Sequence, residues 1–170
     1  MKKAVAILGS PRVKGNAATL LEIAAKNAEK AGYEVSFFNL YDLYIQWCKG
    51  CMGCKQTGIC VIEDDIVPIR ESLLECDLLM ISSPTYYANV SAPIKTMFDR
   101  LVGAIMDDNN RTIPKPRLSH NQKYLLLTTC NTPFPIDRLG GQSTGCRKNM
   151  KEFFHVSGMK CIGKIVFAGT

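Results

Sequence analysis

Four of the eight cysteines lie close together in one short stretch of the chain. They are Cys48, Cys51, Cys54 and Cys60. Each iron of a [4Fe–4S] cluster takes one thiolate, and three glycines in the same stretch let the backbone fold around a cube and donate N–H groups to its sulfurs. The cysteine-rich loop at about 47–61 therefore predicts a [4Fe–4S] cluster.

Two other uses of these cysteines stay open. Structural zinc sites usually draw on two separated knuckles, and Cys48, Cys51 and Cys54 would crowd one tetrahedral ion. The second alternative is a redox-sensing or metal-free thiol set. The last gap, five residues before Cys60, also differs from the ferredoxin run, whose last gap is three residues and is followed by proline. The other four cysteines are isolated, and most of them are better explained as small buried residues.

A second candidate site is the polar loop 9–17, which follows the apolar run 3–8 and precedes a helical pattern. The N–H groups and the dipole of a helix N-terminus attract anions, Ser10 and Asn16 can donate hydrogen bonds, and Arg12 and Lys14 supply positive charge. The loop predicts a phosphate site, and a simple polar turn with Asn16 as the helix cap is the alternative. It lacks the glycine-rich dinucleotide fingerprint and the Gly-Lys-Ser/Thr pattern of nucleoside triphosphate sites.

A third candidate segment, residues 82–93, follows another apolar run. Its paired tyrosines, Tyr86 and Tyr87, often indicate ordinary packing, but on a loop at a ligand-binding edge they can flank an isoalloxazine ring. Pro84 and Pro93 stiffen this loop. If its strand lies beside the first one, the segment faces the phosphate loop across a ligand site.

Alternating strand and helix patterns place these segments at one edge of a sheet. Buried strands are predicted at 3–8, 33–40, 77–82, 123–129 and 161–168, and helices at 16–32, 64–76, 91–106 and 141–155. Such alternation predicts a doubly wound parallel sheet of α/β class, with right-handed crossovers. In the flavodoxin order, 2-1-3-4-5, ligands bind between the ends of the first and third strands. Residues 107–122 are predicted to be a polar connector.

Length and composition set outer limits on the interpretation. A chain of 170 residues predicts one domain, 1–170, and 46% hydrophobic with 21% charged residues is typical of globular proteins. No apolar run is long enough to predict a membrane span, and the apolar start is too short for a signal peptide, so we expect a cytoplasmic protein. The net charge of +6 is scattered, which argues against nucleic-acid binding.

These motifs together resemble the NADPH-dependent FMN reductase and iron-sulfur flavoprotein branch of the flavodoxin-like superfamily, over most of the chain. The matching motifs are Gly9-Ser10-Pro11-Arg12 with Gly15-Asn16, the cysteine run ending in Asp64-Asp65, Ser83-Pro84-Thr85-Tyr86, and Ser91-Ala92-Pro93-Ile94-Lys95 through Phe98-Asp99-Arg100. The cysteine spacing is similar to the compact cluster motif of the iron-sulfur flavoproteins. A flavodoxin-like fold that binds FMN is thus the expectation.

The resemblance implies roles for particular residues. The first motif would hold the FMN phosphate and the second would lie along the flavin ring. The implied FMN contacts are Ser10, Arg12, Asn16, Ala17, Pro84, Thr85, Tyr86, Tyr87 and Asn89. Position 17 commonly carries a hydroxyl in the family, so at Ala17 the backbone N–H alone can serve. No catalytic side chain is expected, because hydride and electron transfer are the chemistry of the flavin.

Three functions follow as hypotheses. The first is an FMN-dependent oxidoreductase whose [4Fe–4S] cluster exchanges single electrons with a small protein such as ferredoxin. The second is an NAD(P)H-dependent reductase of flavins, quinones or other small acceptors without a cluster. The third is a zinc- or thiol-based binding module on a flavodoxin-like scaffold. In the first two, NAD(P)H is a candidate electron donor.

The end of the chain predicts self-association. A flavodoxin-like domain covers one sheet face with its first and fifth helices, but the fifth predicted strand runs to Ala168 and the sequence stops at Thr170. The C-terminal helix is therefore expected to be absent, leaving an apolar patch of the kind that marks association sites. We expect a homodimer or homotetramer with the flavin near a subunit interface, as the resemblance also implies.

Overall fold

The computed structural model describes residues 1–107 and 112–170. Its strands are β1 (Lys2–Leu8), β2 (Tyr33–Asn39), β3 (Leu78–Pro84), β4 (Met106–Asp107), β5 (Lys115–Pro116), β6 (Lys123–Cys130) and β7 (Lys160–Ala168). Its helices are α1 (Asn16–Lys30), α2 (Cys54–Thr57), α3 (Ile66–Glu75), α4 (Ala92–Ile105), α5 (Ile136–Leu139) and α6 (Gln142–Ser157). Strands and helices alternate along most of this order, as predicted.

The five long strands of the described residues form one parallel sheet in the order β2-β1-β3-β6-β7. Numbered as the sequence predicted them, this is the order 2-1-3-4-5. Strands β1 and β3 are buried almost throughout because helices cover both of their faces. The flavodoxin-like α/β fold expected from the sequence is confirmed.

Two apolar layers hold the helices against the sheet. On one face α1 packs through buried apolar residues such as Ala17, Ala18 and Leu21. On the other face α3, α4 and α6 enclose a larger core in which Phe98 stacks on Phe153 at a centroid distance of 4.1 Å. The helices cover both faces of the sheet, so loops lie at the edge formed by the carboxyl ends of β1, β3 and β6.

Two local predictions need correction. Asn16 was expected to cap α1, but it is the first helical residue, because Gly15 takes the extended N-cap conformation with φ −84° and ψ 167°. Strand β3 also runs two residues beyond the predicted end at Ser82, since Ser83 and Pro84 continue the pairing with β6. In the connector predicted for 107–122, residues 108–111 lie outside the described residues, and β5 pairs with β4 as a short antiparallel ribbon.

Strand β7 forms one edge of the sheet and carries exposed apolar side chains. Ile165 and Phe167 are 46% and 49% exposed, and they pair in register with Leu127 and Thr129 of β6. Because Leu127 belongs to the layer under α1, these two side chains lie on the α1 face of the sheet, beyond the reach of α1.

Among helices formed by the described residues, none has the length and apolar character needed to cross a bilayer.

Candidate cofactor cleft and cysteine loop

A cleft of about 460 Å³ opens at the carboxyl ends of β1, β3 and β6. This is the switch point of the strand order, where ligands of doubly wound sheets bind, and the volume is typical of a small-molecule site. The residues that line it are Ser10, Arg12, Gly15, Asn16, Ala17, Pro84, Thr85, Tyr86, Thr129, Asn131 and Thr170. The predicted phosphate loop and the predicted flavin loop therefore face each other across one cavity.

The loop before α1 is built to receive an anion. Ser10 is buried, and its Oγ accepts a hydrogen bond from the Arg12 N–H at 3.2 Å. The Gly15 N–H donates to the Arg12 carbonyl at 2.9 Å, which closes a turn ahead of the helix. In the described part of the chain no side chain caps α1, so the N–H groups of its first turn are available to a ligand. These groups, with the helix dipole and Arg12, fit a phosphate monoester such as that of FMN.

The opposite wall of the cleft ends in a strained turn. The Tyr86 and Asn89 backbones exchange two hydrogen bonds of 2.9 Å, and Tyr87 and Ala88 between them have φ of 48° and 59°. Positive φ at both central residues defines a type I′ turn, which strongly prefers asparagine and glycine. Non-glycine residues held this way mark functional sites, and here the turn forms the rim of the cleft.

Contact with helix α6 fixes the position of that turn. A Cβ placed on Gly145 would lie 2.2 Å from the Ala88 carbonyl oxygen, so glycine permits this close approach. Beneath the turn, the Thr85 and Thr128 hydroxyls lie 3.1 Å apart, and Thr128 Oγ1 lies 3.3 Å from Cys146 Sγ. Burial raises the pKa of the Cys146 thiol, so it is a neutral partner in this chain. The chain of contacts orients the hydroxyl of Thr85, which lines the cleft.

Most of the residues predicted to bind FMN line this cleft, and two lie outside the lining. Tyr87 is fully exposed at the tip of the turn, and Asn89 uses its Oδ1 to accept the Val90 N–H at 2.8 Å. Gly15, which belongs to the predicted phosphate loop, also lines the cleft, whereas sequence reasoning assigned no FMN contact to Thr129, Asn131 and Thr170. Parallel pairing of β3 with β6 was the signal available for Thr129, whereas the position of Thr170 depends on how β7 ends.

The four clustered cysteines lie on the predicted loop, which packs against α4. Cys48 and Cys51 are exposed, while Cys54 and Cys60 are half-buried. In the residues described, no three cysteine, histidine or acidic side chains stand close enough together to hold one metal ion. The chemistry of the donor set fits an iron–sulfur cluster all the same, because four unpaired thiols occupy one short loop.

The inner part of the cysteine loop touches α4 at a glycine. A Cβ on Gly103 would lie 3.0 Å from Cys54 Sγ and 2.6 Å from the Cys54 carbonyl oxygen, so a larger residue would push the loop away. Burial raises the pKa of the Cys54 thiol, and the nearby Cys60 and Cys48 sulfurs raise it further. A metal that binds Cys54 must therefore displace its proton, which makes metal binding dependent on pH.

Arg100 of α4 joins the two ends of the cysteine loop. Its guanidinium forms a bidentate pair with Asp64, at 2.7 Å and 3.0 Å, and both side chains are almost fully buried. It also donates to the Gln46 carbonyl at 2.6 Å and to the Ile62 carbonyl at 2.8 Å. Its Nε lies 3.3 Å from Cys60 Sγ. Sequence reasoning placed Arg100 in a family motif and predicted no role for its side chain.

Comparison with known proteins gives the context of these sites. The family profile described as NADPH-dependent FMN reductase matches residues 2–131. An iron-sulfur flavoprotein of Archaeoglobus fulgidus is 42% identical over 100 residues, which are 59% of this chain and 46% of that protein. The iron-sulfur flavoprotein of Methanosarcina thermophila is 26% identical over 163 residues, or 95% of this chain and 77% of that protein. The chain spans about half the length of the relatives it matches at about 40% identity.

Solved structures share the fold. The NAD(P)H:quinone oxidoreductase from Methanothermobacter marburgensis superposes with a TM-score of 0.82 at 16% identity, covering 99% of this chain and 87% of that one. An FMN-dependent NADH-azoreductase from Bacillus anthracis, solved in complex with FMN, gives a TM-score of 0.76 at 13% identity, covering 99% and 88%. At these identities the likeness concerns the flavodoxin-like scaffold.

Proposed function

The chain belongs to the NADPH-dependent FMN reductase family, and from this premise we propose that it binds FMN in the cleft and acts as a flavin-dependent oxidoreductase. The observation that carries the proposal is the cleft itself, in which an uncapped helix N-terminus faces the loop after β3 at the switch point of the sheet. The loop before α1 matches the phosphate of FMN, and the loop after β3 matches its flat ring.

The side chains of the cleft bind and orient the cofactor. Ser10, Arg12 and the first-turn N–H groups of α1 hold the phosphate, and Pro84, Thr85 and Tyr86 border the ring. Bound FMN supplies hydride and electron transfer, so the protein needs no acid–base triad. His120 and His155 do not line the cleft. NAD(P)H is the proposed electron donor.

We further propose that Cys48, Cys51, Cys54 and Cys60 ligate one [4Fe–4S] cluster. Support comes from the four free thiols on one loop, from the packing of that loop against α4, and from relatives that are named iron-sulfur flavoproteins. Zinc remains the competing metal for the same thiols. The competing function is the reduction of quinones or other small acceptors by an enzyme that has no cluster.

The surface around the cysteines supports a protein partner for electron transfer. Trp47, Met52 and Val61 are 76%, 62% and 65% exposed and lie beside the cysteines in the chain. Exposed apolar side chains on one loop are candidates for an interaction site. We propose that a small redox protein such as ferredoxin, or a second copy of this chain, covers this loop.

The absorbance of an anaerobically purified protein distinguishes these functions. We expect flavin bands together with a broad brown absorbance that dithionite bleaches. Flavin bands without the brown absorbance would favour the reductase that lacks a cluster. A colourless protein that takes up no added FMN would contradict the proposed function and favour the binding module.

A further inference from the structure

The cysteine loop packs against α4, and Arg100 provides the contacts at its base. Gln46 precedes the first clustered cysteine by two residues and Ile62 follows the last by two, and the carbonyl oxygens of both accept hydrogen bonds from the Arg100 guanidinium. The Gln46 N–H in turn donates to Asp64 Oδ2 at 2.9 Å. One buried ion pair thus closes the neck of the loop.

A buried ion pair of this kind is not explained by stability. Moving both charges out of water costs several kcal/mol per ion, and an apolar pair of similar volume is often as stable. The Arg100 side chain is fully buried, yet its donors serve a carboxylate, two carbonyls and a sulfur. Such a set of partners fixes the position of one loop. Arginine suits this role better than lysine because the donors of its guanidinium form a rigid fork.

The contact with Cys60 adds an electronic role. The Arg100 Nε–H points at Cys60 Sγ over 3.3 Å, and N–H donors to ligand sulfurs are one of the terms that set the reduction potential of a cluster. A donor beside the sulfur stabilises the reduced state, which carries one more negative charge, and so raises the potential. Asp64 neutralises the guanidinium charge, so the effect depends mainly on this hydrogen bond.

We propose that Arg100 is a positioning residue of the cysteine site, which holds the loop closed in the metal-free chain and raises the reduction potential of the bound cluster through Cys60. The second half of this proposal rests on the proposed cluster, whereas the first half concerns the metal-free chain. The two halves therefore have separate measurements.

The first measurement is tryptic cleavage of the metal-free full-length chain after Lys49 and Lys55. Arg100→Lys keeps a charge opposite Asp64 but cannot span Gln46, Ile62 and Cys60 together, so we expect severalfold faster cleavage. The control is Asp99→Asn, which removes an exposed ion pair with Lys95 on the same helix and should leave the rate unchanged. Equal rates in Arg100→Lys and the parent would overturn the positioning role.

The second measurement is the reduction potential of the anaerobically loaded protein, followed by electron paramagnetic resonance. Arg100→Lys should have a more negative potential than the parent. The control is Arg117→Lys, because Arg117 Nη2 donates to the backbone carbonyl of Lys55, in the same loop, at 2.9 Å. This variant should keep the potential of the parent. A loaded Arg100→Lys protein with the potential of the parent would overturn the electronic role.

Two further outcomes are distinguishable. A parent protein without iron and sulfide would contradict the proposed cluster, and the cleavage experiment would still decide whether Arg100 closes the loop. If Arg100→Lys does not fold, a measurement on the metal-free parent takes the place of the variant. That measurement is the hydrogen exchange of the Arg100 Nε–H, followed by its nuclear magnetic resonance signal. We expect that signal to exchange slowly with solvent, and rapid exchange would overturn the proposal.

Discussion

At the scale of single residues, Asp64 shows how one carboxylate can link the stability of a loop to pH. Burial by itself raises the pKa of Asp64, but hydrogen bonds from Arg100 and from the Gln46 and Ile66 N–H groups outweigh it, so its pKa lies below the ordinary value. A carboxyl with a lowered pKa stabilises the fold above its unfolded-state pKa of about 3.9. That stabilisation is lost as the pH falls through the lower, folded-state pKa.

We therefore predict that the free energy of unfolding of Asp64→Asn changes less with pH in the acid range than that of the parent. Near neutral pH the variant should be less stable by about 3–5 kcal/mol, because it leaves the buried Arg100 without its counter-ion. Below about pH 4 its free energy of unfolding should fall less steeply than that of the parent. Chemical denaturation at a series of pH values measures both effects.

Asp99→Asn is the matched control for that series. Asp99 pairs with Lys95 on the surface, and an exposed pair contributes about 0.2–1 kcal/mol at most. Its acid profile should follow the parent. If Asp64→Asn shows the same acid slope as the parent, the Asp64 carboxylate is not the group that couples stability to pH.

The side-chain partners of some residues could be predicted from the sequence, and those of others could not. The surface pair of Lys95 and Asp99 was predictable, because residues four apart on a helix are neighbours. The partners of Arg100 were not, since Asp64 lies 36 residues away in sequence and meets it through an irregular loop. Helical periodicity reports which residues share a face, and it carries no information on how a loop folds back on that face.

At the scale of elements, α1 and the loop before it form the phosphate site. We predict that Arg12→Ala combined with Asn16→Ala lowers FMN affinity by about tenfold or more, since a hydrogen bond to a charged group contributes about 1.5–3 kcal/mol. Quenching of flavin fluorescence during titration of the FMN-free protein measures the affinity. The uncapped first turn of α1 should retain weak binding through its N–H groups.

Lys14→Ala is the control for this prediction. Lys14 is an exposed cation of the same loop that does not line the cleft, so its removal alters the charge and leaves the lining intact. Its FMN affinity should stay close to that of the parent. A double variant that binds FMN as the parent does would place the phosphate elsewhere.

Element boundaries were predictable to within about two residues, and the exceptions have physical causes. Asn16 was expected to cap α1, yet a side-chain cap would occupy the N–H groups that an anion needs, and Gly15 takes the cap position instead. The type I′ turn at Tyr87 and Ala88 was not predictable, because these residue types disfavour positive φ. Tertiary contact at Gly145, outside the turn itself, accompanies that conformation.

At the scale of the whole molecule, the order of the sheet followed from the sequence because few topologies connect alternating strands and helices. Right-handed crossovers and adjacent sequential strands leave the flavodoxin order as a natural solution, and the structure has it. The ends of β1 and β3 then had to meet, which is why two loops about 70 residues apart could be assigned to one cleft. The arrangement of the four thiols depends on loop conformation and could not be predicted this way.

Self-association remains a prediction at this scale. Ile165 and Phe167 expose an apolar strip on the α1 face of β7, and the cysteine loop adds exposed groups such as Trp47. We predict that copies of the chain cover this strip, with closed two-fold dimers as the simplest assembly. Sedimentation equilibrium at micromolar protein should give a mass of two or four chains, and Phe167→Lys should lower it.

The control for association is Ile113→Lys. Ile113 is 81% exposed but lies away from β7 in the chain, between β4 and β5, so this change should leave the mass unaltered. A single species at 18.8 kDa for the parent would show that the strip is not a self-association surface under these conditions.

The most direct test of the account is the content of FMN, iron and sulfide in the parent protein and in Cys51→Ala, both purified without oxygen. The parent should contain about one FMN with about four iron and four sulfide atoms per chain. Cys51→Ala should lose iron and sulfide while it keeps FMN, because the cleft and the cysteine loop are built from different residues. A parent with stoichiometric zinc and no sulfide would contradict the cluster, and a parent that neither contains nor takes up FMN would contradict the central claim.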